Sequence, residues 1–239
     1  IYAKNLQPQE LYPFYIQTYV ERDVRQITNI LDLSTFQRFI KLCAGRIGQI
    51  LNLSSLATDC GISSNTARSW ISLLEASYIV FLLQPYYKNF SKRLIKSPKI
   101  YFYDTGLACS LLHLTSAQSV NAHYLRGGLF ESFVISDIAK YFYNKAQRPP
   151  IYFWRDSHGH EVDCIIEIDN RLIPLEIKSG QTISSDYFSG LSYWQELAGK
   201  ETEPGILIYG GTETQNRSQA LVAGWQNFDE HIARILKKE

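Results

Sequence analysis

The feature that most constrains this chain is a two-residue turn, Asp169-Asn170, set between two runs of alternating apolar and polar residues, Glu161–Ile168 and Arg171–Lys178. Asp and Asn tolerate the positive φ that tight hairpins need, so the turn predicts an antiparallel hairpin and fixes its register. Ile168 then faces Arg171, Asp163 faces Glu176, and Glu161 faces Lys178. Alternation puts those last four residues on one face. Val162, Cys164 and Ile166 lie on the other, against Ile173, Leu175 and Ile177, as an apolar surface that must be buried. A slip of one residue would mix the two sets. Pro174 has no N–H, which weakens the expectation of a ladder along the whole strand.

Two carboxylates facing each other at roughly 5 Å repel unless something positive lies between them. Mg²⁺ is suited to that place because it prefers oxygen ligands and usually takes only one or two protein carboxylates, leaving water and phosphate oxygens to complete its shell. Asp163 and Glu176 are therefore candidate ligands for Mg²⁺ or Mn²⁺. Lys178, two positions on, is placed to orient or deprotonate an attacking water and to stabilise charge on a phosphate. A plainer reading makes Glu161 and Lys178 a cross-strand ion pair worth well under about 1 kcal/mol, with the two acids merely solvated. His158 and His160 in the adjacent turn either approach the site or, as is commoner in a polar loop, stand exposed to solvent.

The surrounding pattern is α/β. Arg126–Tyr143 has helical spacing, with Glu131 on the stripe of Val134, Ile135 and Ile138. A charged residue there needs a partner, and a metal at the sheet edge would provide one. Strand Ile151–Arg155 precedes the hairpin; a helix over residues 185–198, strand Gly205–Tyr209 and a terminal helix from about Phe228 follow it. The order is αβββαβ plus a last helix, which indicates a mixed sheet with helical layers.

The first half reads differently. Apolar residues over 14–43 recur at helical spacing in two successive helices, with Ser34 as the N-cap of the second. Residues 54–60, the turn Gly61-Ile62-Ser63 and residues 64–77 have the helix-turn-helix layout, and Asn65, Arg68, Ser69 and Ser72 fall on the polar face of its second helix. Two strands follow, over 79–83 and within 86–102. The loop between them carries Lys88, Lys92, Arg93, Lys96 and Lys99 without an acid, a basic wing that serves either nucleic acid or a protein partner. A short helix over 107–114 closes this part, and the polar stretch 115–128 marks a domain boundary. The expected domains are thus linking helices (1–45), a winged-helix-like domain (46–114) and an αβββαβ domain (120–239).

Composition narrows the function classes. A formal charge of +1 means that attraction to nucleic acid must come from local clusters. Four scattered cysteines without ligand spacing read as buried, reduced thiols. No apolar run reaches the roughly 18 residues of a membrane span, and a cytoplasmic location is expected. The chain opens at Ile1 and contains no Met, which suggests a fragment of a longer protein.

With Glu131, Asp163 and Glu176-Ile177-Lys178 in hand, the arrangement resembles the PD-(D/E)xK nuclease superfamily, of restriction-endonuclease-like fold. The whole chain also resembles the C-terminal region of a large family of prokaryotic AAA-type ATPases. The matching blocks are Tyr19-Val20-Glu21-Arg22-Asp23-Val24, Leu74-Glu75-Ala76-Ser77-Tyr78, Lys92-Arg93-Leu94, the run from Lys99 through Asp104-Thr105-Gly106 to Leu107, Leu129-Phe130-Glu131, Glu161-Val162-Asp163 and Glu176-Ile177-Lys178. The resemblance implies a preceding ATPase domain. This sequence has no G-x-x-x-x-G-K-[ST] phosphate loop of its own. The expected function is a DNA-engaging module with a metal-dependent phosphodiesterase site. Its rivals are a non-catalytic binding module and an oligomerisation or regulatory platform for the ATPase.

Overall fold

The computed structural model describes residues 7–19, 32–87, 95–226, 228 and 230. It confirms a mixed α/β chain, in two compact units: residues 1–82 with 99–133, and residues 83–98 with 134–239.

In the first unit, α1 (Pro8–Tyr15) precedes α2 (Leu33–Ala44). The cap of α2 is Asp32 rather than Ser34: its carboxylate accepts from the Thr35 amide at 3.0 Å. Those bonds, with two from the Thr35 and Ser34 hydroxyls, lower the Asp32 carboxyl to about 2. The helical pattern expected over residues 20–31 lies outside the described residues. Next come α3 (Leu53–Cys60), capped by Asn52, and α4 (Ser64–Ala76), capped by Ser63. Gly61 ends α3 with φ of 74°, a conformation glycine adopts without steric cost. The two helices expected on either side of the Gly61-Ile62-Ser63 turn are therefore present. Trp70 of α4 meets Phe36 and Phe39 of α2 edge-on, each at 5.2 Å, at the centre of this unit's core.

Strands β1 (Val80–Leu83) and β2 (Lys99–Phe102) pair as a two-stranded sheet. Helix α5 (Thr105–Leu111) follows, capped by Asp104, and then α6 (Ala117–Ala122) with a Ser116/Ser119 capping box. The polar stretch read as a boundary thus holds a helix of its own, made by capping rather than by apolar periodicity. Helix α7 spans Arg126–Tyr143, as its spacing predicts. Its start packs backbone to backbone on the Ile47-Gly48 turn. A Cβ on Gly128 would lie 2.4 Å from the Ile47 carbonyl, and one on Gly48 would lie 2.8 Å from the Gly128 Cα.

The second unit holds a six-stranded sheet in the order β3-β4-β5-β6-β8-β7. These strands are β3 (Ile151–Arg155), β4 (Glu161–Ile168), β5 (Arg171–Lys178), β6 (Gly205–Tyr209), β7 (Gln215–Asn216) and β8 (Ala220–Gly224). The first three are antiparallel neighbours, whereas β5, β6 and β8 run parallel. The strands β7 and β8 are absent from the sequence expectation. Ala220-Leu-Val-Ala-Gly has too few β-branched residues to read as a strand, and its place is set by pairing with β6. Helix α8 (Ser189–Ala198), led in by a 3₁₀ turn at Ser185–Phe188, buries Leu191, Trp194 and Ala198.

The β3 edge is met by residues on both sides of the segment expected to form the wing. Pro85 bridges Phe153, the Tyr86 amide donates to the Phe153 carbonyl at 2.7 Å, and the Ile95 amide donates to the Arg155 carbonyl at 3.2 Å. The ring of Tyr86 meets Trp194 at 6.1 Å. An exposed β edge invites pairing with another chain, and these residues blunt it. Among the described residues, no helix is long and apolar enough to cross a membrane.

Candidate active site

The β4–β5 hairpin has the register set by its turn. Ile168 pairs with Arg171 and Cys164 with Leu175, and Asp169 and Asn170 both have positive φ, 50° and 61°. Pro174 is accommodated because it precedes the β5–β6 ladder, which begins at Leu175 and Ile206.

On the other side of β4 the pairing shifts. Tyr152 pairs with Ile165 but Trp154 with Val162, so Asp163 and Cys164 together stand against Phe153. This is a β-bulge, a feature common beside active sites because it re-aims a side chain. It corrects the expected division of faces. Val162 joins Ile165, Leu172, Trp154 and Trp194 in one cluster instead of sharing a face with Cys164. Glu161 pairs with Arg155, and its carboxylate lies 3.3 Å from that guanidinium.

The bulge releases Asp163 from ordinary strand geometry. Continuing the hairpin register would pair Ile177 with Val162; instead its N–H donates to Asp163 Oδ2 at 2.8 Å, so the acid is fixed in the gap where the two strands part. Glu176 and Lys178 stand beside Leu207 and Tyr209 of β6. Those residues pack with Leu191 and Phe188, so the α8 side of the sheet carries Glu176 and Lys178. Gly190 of α8 makes the room: a Cβ there would lie 2.9 Å from Glu176 Oε2 and 2.4 Å from the Glu161 carbonyl.

Asp163 and Glu176 are buried, at 7% and 6% exposure. Lys178 Nζ ion-pairs with Glu176 Oε1 and lies 3.7 Å from Asp163 Oδ2. The structure thus brings together three of the four expected catalytic residues. The fourth, Glu131, belongs to the first unit, and its partners there are Lys99 and Tyr101. Lys99 Nζ lies 2.8 Å from Glu131 Oε1, and the Tyr101 hydroxyl donates to the same oxygen. The sequence reading placed a metal at the sheet edge as a partner of this half-buried acid; a lysine and a phenol from β2 bond it here.

Of the residues expected to touch nucleic acid, Asn65, Arg68 and Ser69 are exposed along α4 with Ser72, one stripe at helical spacing. Lys96 is exposed, and its carbonyl accepts from the Tyr87 hydroxyl at 3.1 Å. Lys88, Lys92 and Arg93 lie outside the described residues.

One group of functional character escaped the sequence reading. Asp156, buried at the end of β3, accepts from the amides of His158 at 2.8 Å and His160 at 3.0 Å. Its Oδ2 also lies 2.9 Å from His160 Nδ1. Burial pushes the Asp156 carboxyl up, but these bonds outweigh it and hold the group below its ordinary value. The His160 ring lies flat on Tyr193 of α8, with centroids 3.8 Å apart. Asp and His four residues apart around a glycine was the available signal.

Comparison with known proteins gives two family matches: residues 1–118 to a domain of unknown function (DUF8612) and residues 126–228 to a domain of unknown function (DUF4143). The chain is 31% identical over 170 residues to uncharacterized protein Rv2008c of Mycobacterium tuberculosis and, equally, to uncharacterized protein Mb2031c of Mycobacterium bovis. Each alignment covers 71% of this chain, which spans 38% of the length of those curated relatives.

Proposed function

We propose that the second unit is a metal-dependent phosphodiesterase of the PD-(D/E)xK type, and that the first is a winged-helix-like module engaging nucleic acid, with DNA the expected substrate. The partner domain is an ATPase, in keeping with the resemblance and with relatives much longer than this chain. One observation carries the reading: Asp163 and Glu176 are both buried, around one lysine, at a bulge. Each ion taken out of water costs several kcal/mol, and an ion pair of purely structural use would need only one of the two acids.

The donor set fits Mg²⁺ or Mn²⁺. Among the described residues no group of three or more His, Cys, Asp or Glu side chains is arranged to hold a metal, and Mg²⁺ usually takes only one or two carboxylates. Asp163 and Glu176 would hold the ion. When bound, it would polarise a phosphoryl oxygen and lower the pKa of a water. The chain's own residues do the rest. The Ile177 amide fixes Asp163, Gly190 leaves space for Glu176, and Lys178 brings an ammonium to where negative charge grows on the phosphate. Glu131, held by Lys99 and Tyr101, is not needed for this reading.

The rival reading, a binding module with structural carboxylates, draws on the ion pairing of Lys178 to both acids. Cleavage of labelled single- and double-stranded DNA and RNA with Mg²⁺, Mn²⁺ or chelator separates the two. Metal-dependent cutting is expected, with a loss of at least about 100-fold in Asp163→Asn. Equal activity in the variant or in chelator would refute the site.

A further inference from the structure

We infer that His160 is a phosphate-contacting residue, which binds the nucleic-acid backbone beside the proposed phosphodiesterase site. The inference rests on that functional reading but on a different set of residues. His160 precedes β4 and stands three positions before Asp163, a reach of at most about 10 Å of chain. Its neighbour Tyr193 lies on α8 one turn beyond Gly190, the residue that abuts Glu176. A strand of phosphodiesters laid over the site therefore passes this imidazole within a nucleotide or two.

The ring is held as a contact residue should be. Asp156 satisfies the turn with its backbone bonds alone, to the amides of His158 and His160. The additional bond to His160 Nδ1 fixes which nitrogen carries the proton, and the stack on Tyr193 fixes the ring plane. Nε2 is then left without a partner among the described residues, on a side chain 45% exposed. An imidazole immobilised at one nitrogen and open at the other gives up little side-chain entropy on binding an anion. The carboxylate beneath it accepts the Nδ1 proton, which suits an imidazolium donating from Nε2 to a phosphate oxygen.

The charged and titratable groups around the ring are Asp156 and His158 from its own turn, Tyr193 from α8, and Arg155 and Glu161 at the flanking strand ends. His158 is 72% exposed, 3.8 Å from Asp156 Oδ2, and not part of the stack on Tyr193.

The test is binding without cleavage. Anisotropy of a labelled single-stranded and a duplex DNA is measured with the whole chain in EDTA, from pH 5.5 to 8.5 at fixed ionic strength. The wild type is expected to weaken by about tenfold more than His160→Gln over that range, because only an imidazolium donates from both ring nitrogens, one to Asp156 and one to a phosphate. At pH 5.5 the variant's salt slope should be smaller by about one phosphate contact. His160→Arg, charged at every pH, should keep tight binding at pH 8.5, whereas Asp156→Asn should bind with a flattened pH profile. Superimposable pH profiles and salt slopes for wild type and His160→Gln overturn the inference, as does a wild type that binds neither DNA at any pH. A chain that never cuts yet shows the His160 dependence sinks the phosphodiesterase reading and leaves this one standing.

Discussion

Each unit sets acid against lysine, half-buried in the first and buried in the second, and the two arrangements differ in how many carboxylates meet the ammonium. In the first, one carboxylate, Glu131, meets one ammonium, Lys99, and the Tyr101 hydroxyl adds a hydrogen bond. In the second, two carboxylates share one ammonium. Balanced pairs behave as structural joints. Two carboxylates around one ammonium are the arrangement on which the proposed divalent cation would draw. The surroundings follow the same division: the first pair joins β2 to α7 within a packed core, whereas the second sits at a bulge where two strands part.

Exchanging each lysine for methionine tests this contrast most severely. Lys99→Met takes the ammonium from the half-buried Glu131, at an expected cost of about 3 kcal/mol in denaturant unfolding that no divalent cation recovers. Lys178→Met leaves two acids facing each other. Millimolar Mg²⁺ or Mn²⁺ should raise its thermal midpoint by more than that of the wild type, by roughly 5 °C if the ion reaches 100 times its Kd. Identical responses of the two variants to the ion would erase the distinction.

Glycine positions give a smaller effect. Gly190→Ala would push a methyl against Glu176 and the Glu161 carbonyl, and Gly48→Ala would force φ of 75° on an alanine and crowd Gly128. Both should lose about 1–3 kcal/mol by crowding. Only Gly190→Ala is expected to lower metal affinity, measured by Mn²⁺ titration; equal affinities would show that α8 does not shape the site.

The smallest effect is acid dependence far from either lysine. The Asp32 cap has a folded value of about 2, below its ordinary 3.8. A depressed carboxyl stabilises the fold fully above its unfolded value, so this contribution is present above about pH 4 and lost as pH falls through 2. An NMR titration of the Asp32 carboxyl with a midpoint near 4 would contradict the cap.

Much of this was legible in the sequence. Asp169-Asn170 permits only a tight turn, and such a turn leaves no freedom in the register, so Asp163 and Glu176 fell opposite each other on paper. The helix Arg126–Tyr143 and the turn at Gly61 were equally readable, because a 3.6-residue period and a left-handed cap are local properties. The bulge at Asp163 was not. It depends on how β3, many residues earlier, pairs with β4, and alternation within one strand holds no record of its neighbour.

The sequence by itself therefore determined the hairpin, the helical periods and the presence of an acid, an acid and a lysine at fixed spacing, since all are set by residues close along the chain. Only the tertiary structure decided which lysine each acid meets. It gave Lys99 and Tyr101 to Glu131, fixed Asp163 on the Ile177 amide, brought Tyr193 beneath His160 and set Gln84, Tyr86 and Ile95 against the β3 edge. Each of these is a contact between segments distant in the chain, and burial selects such contacts for packing and charge without leaving a mark on local pattern.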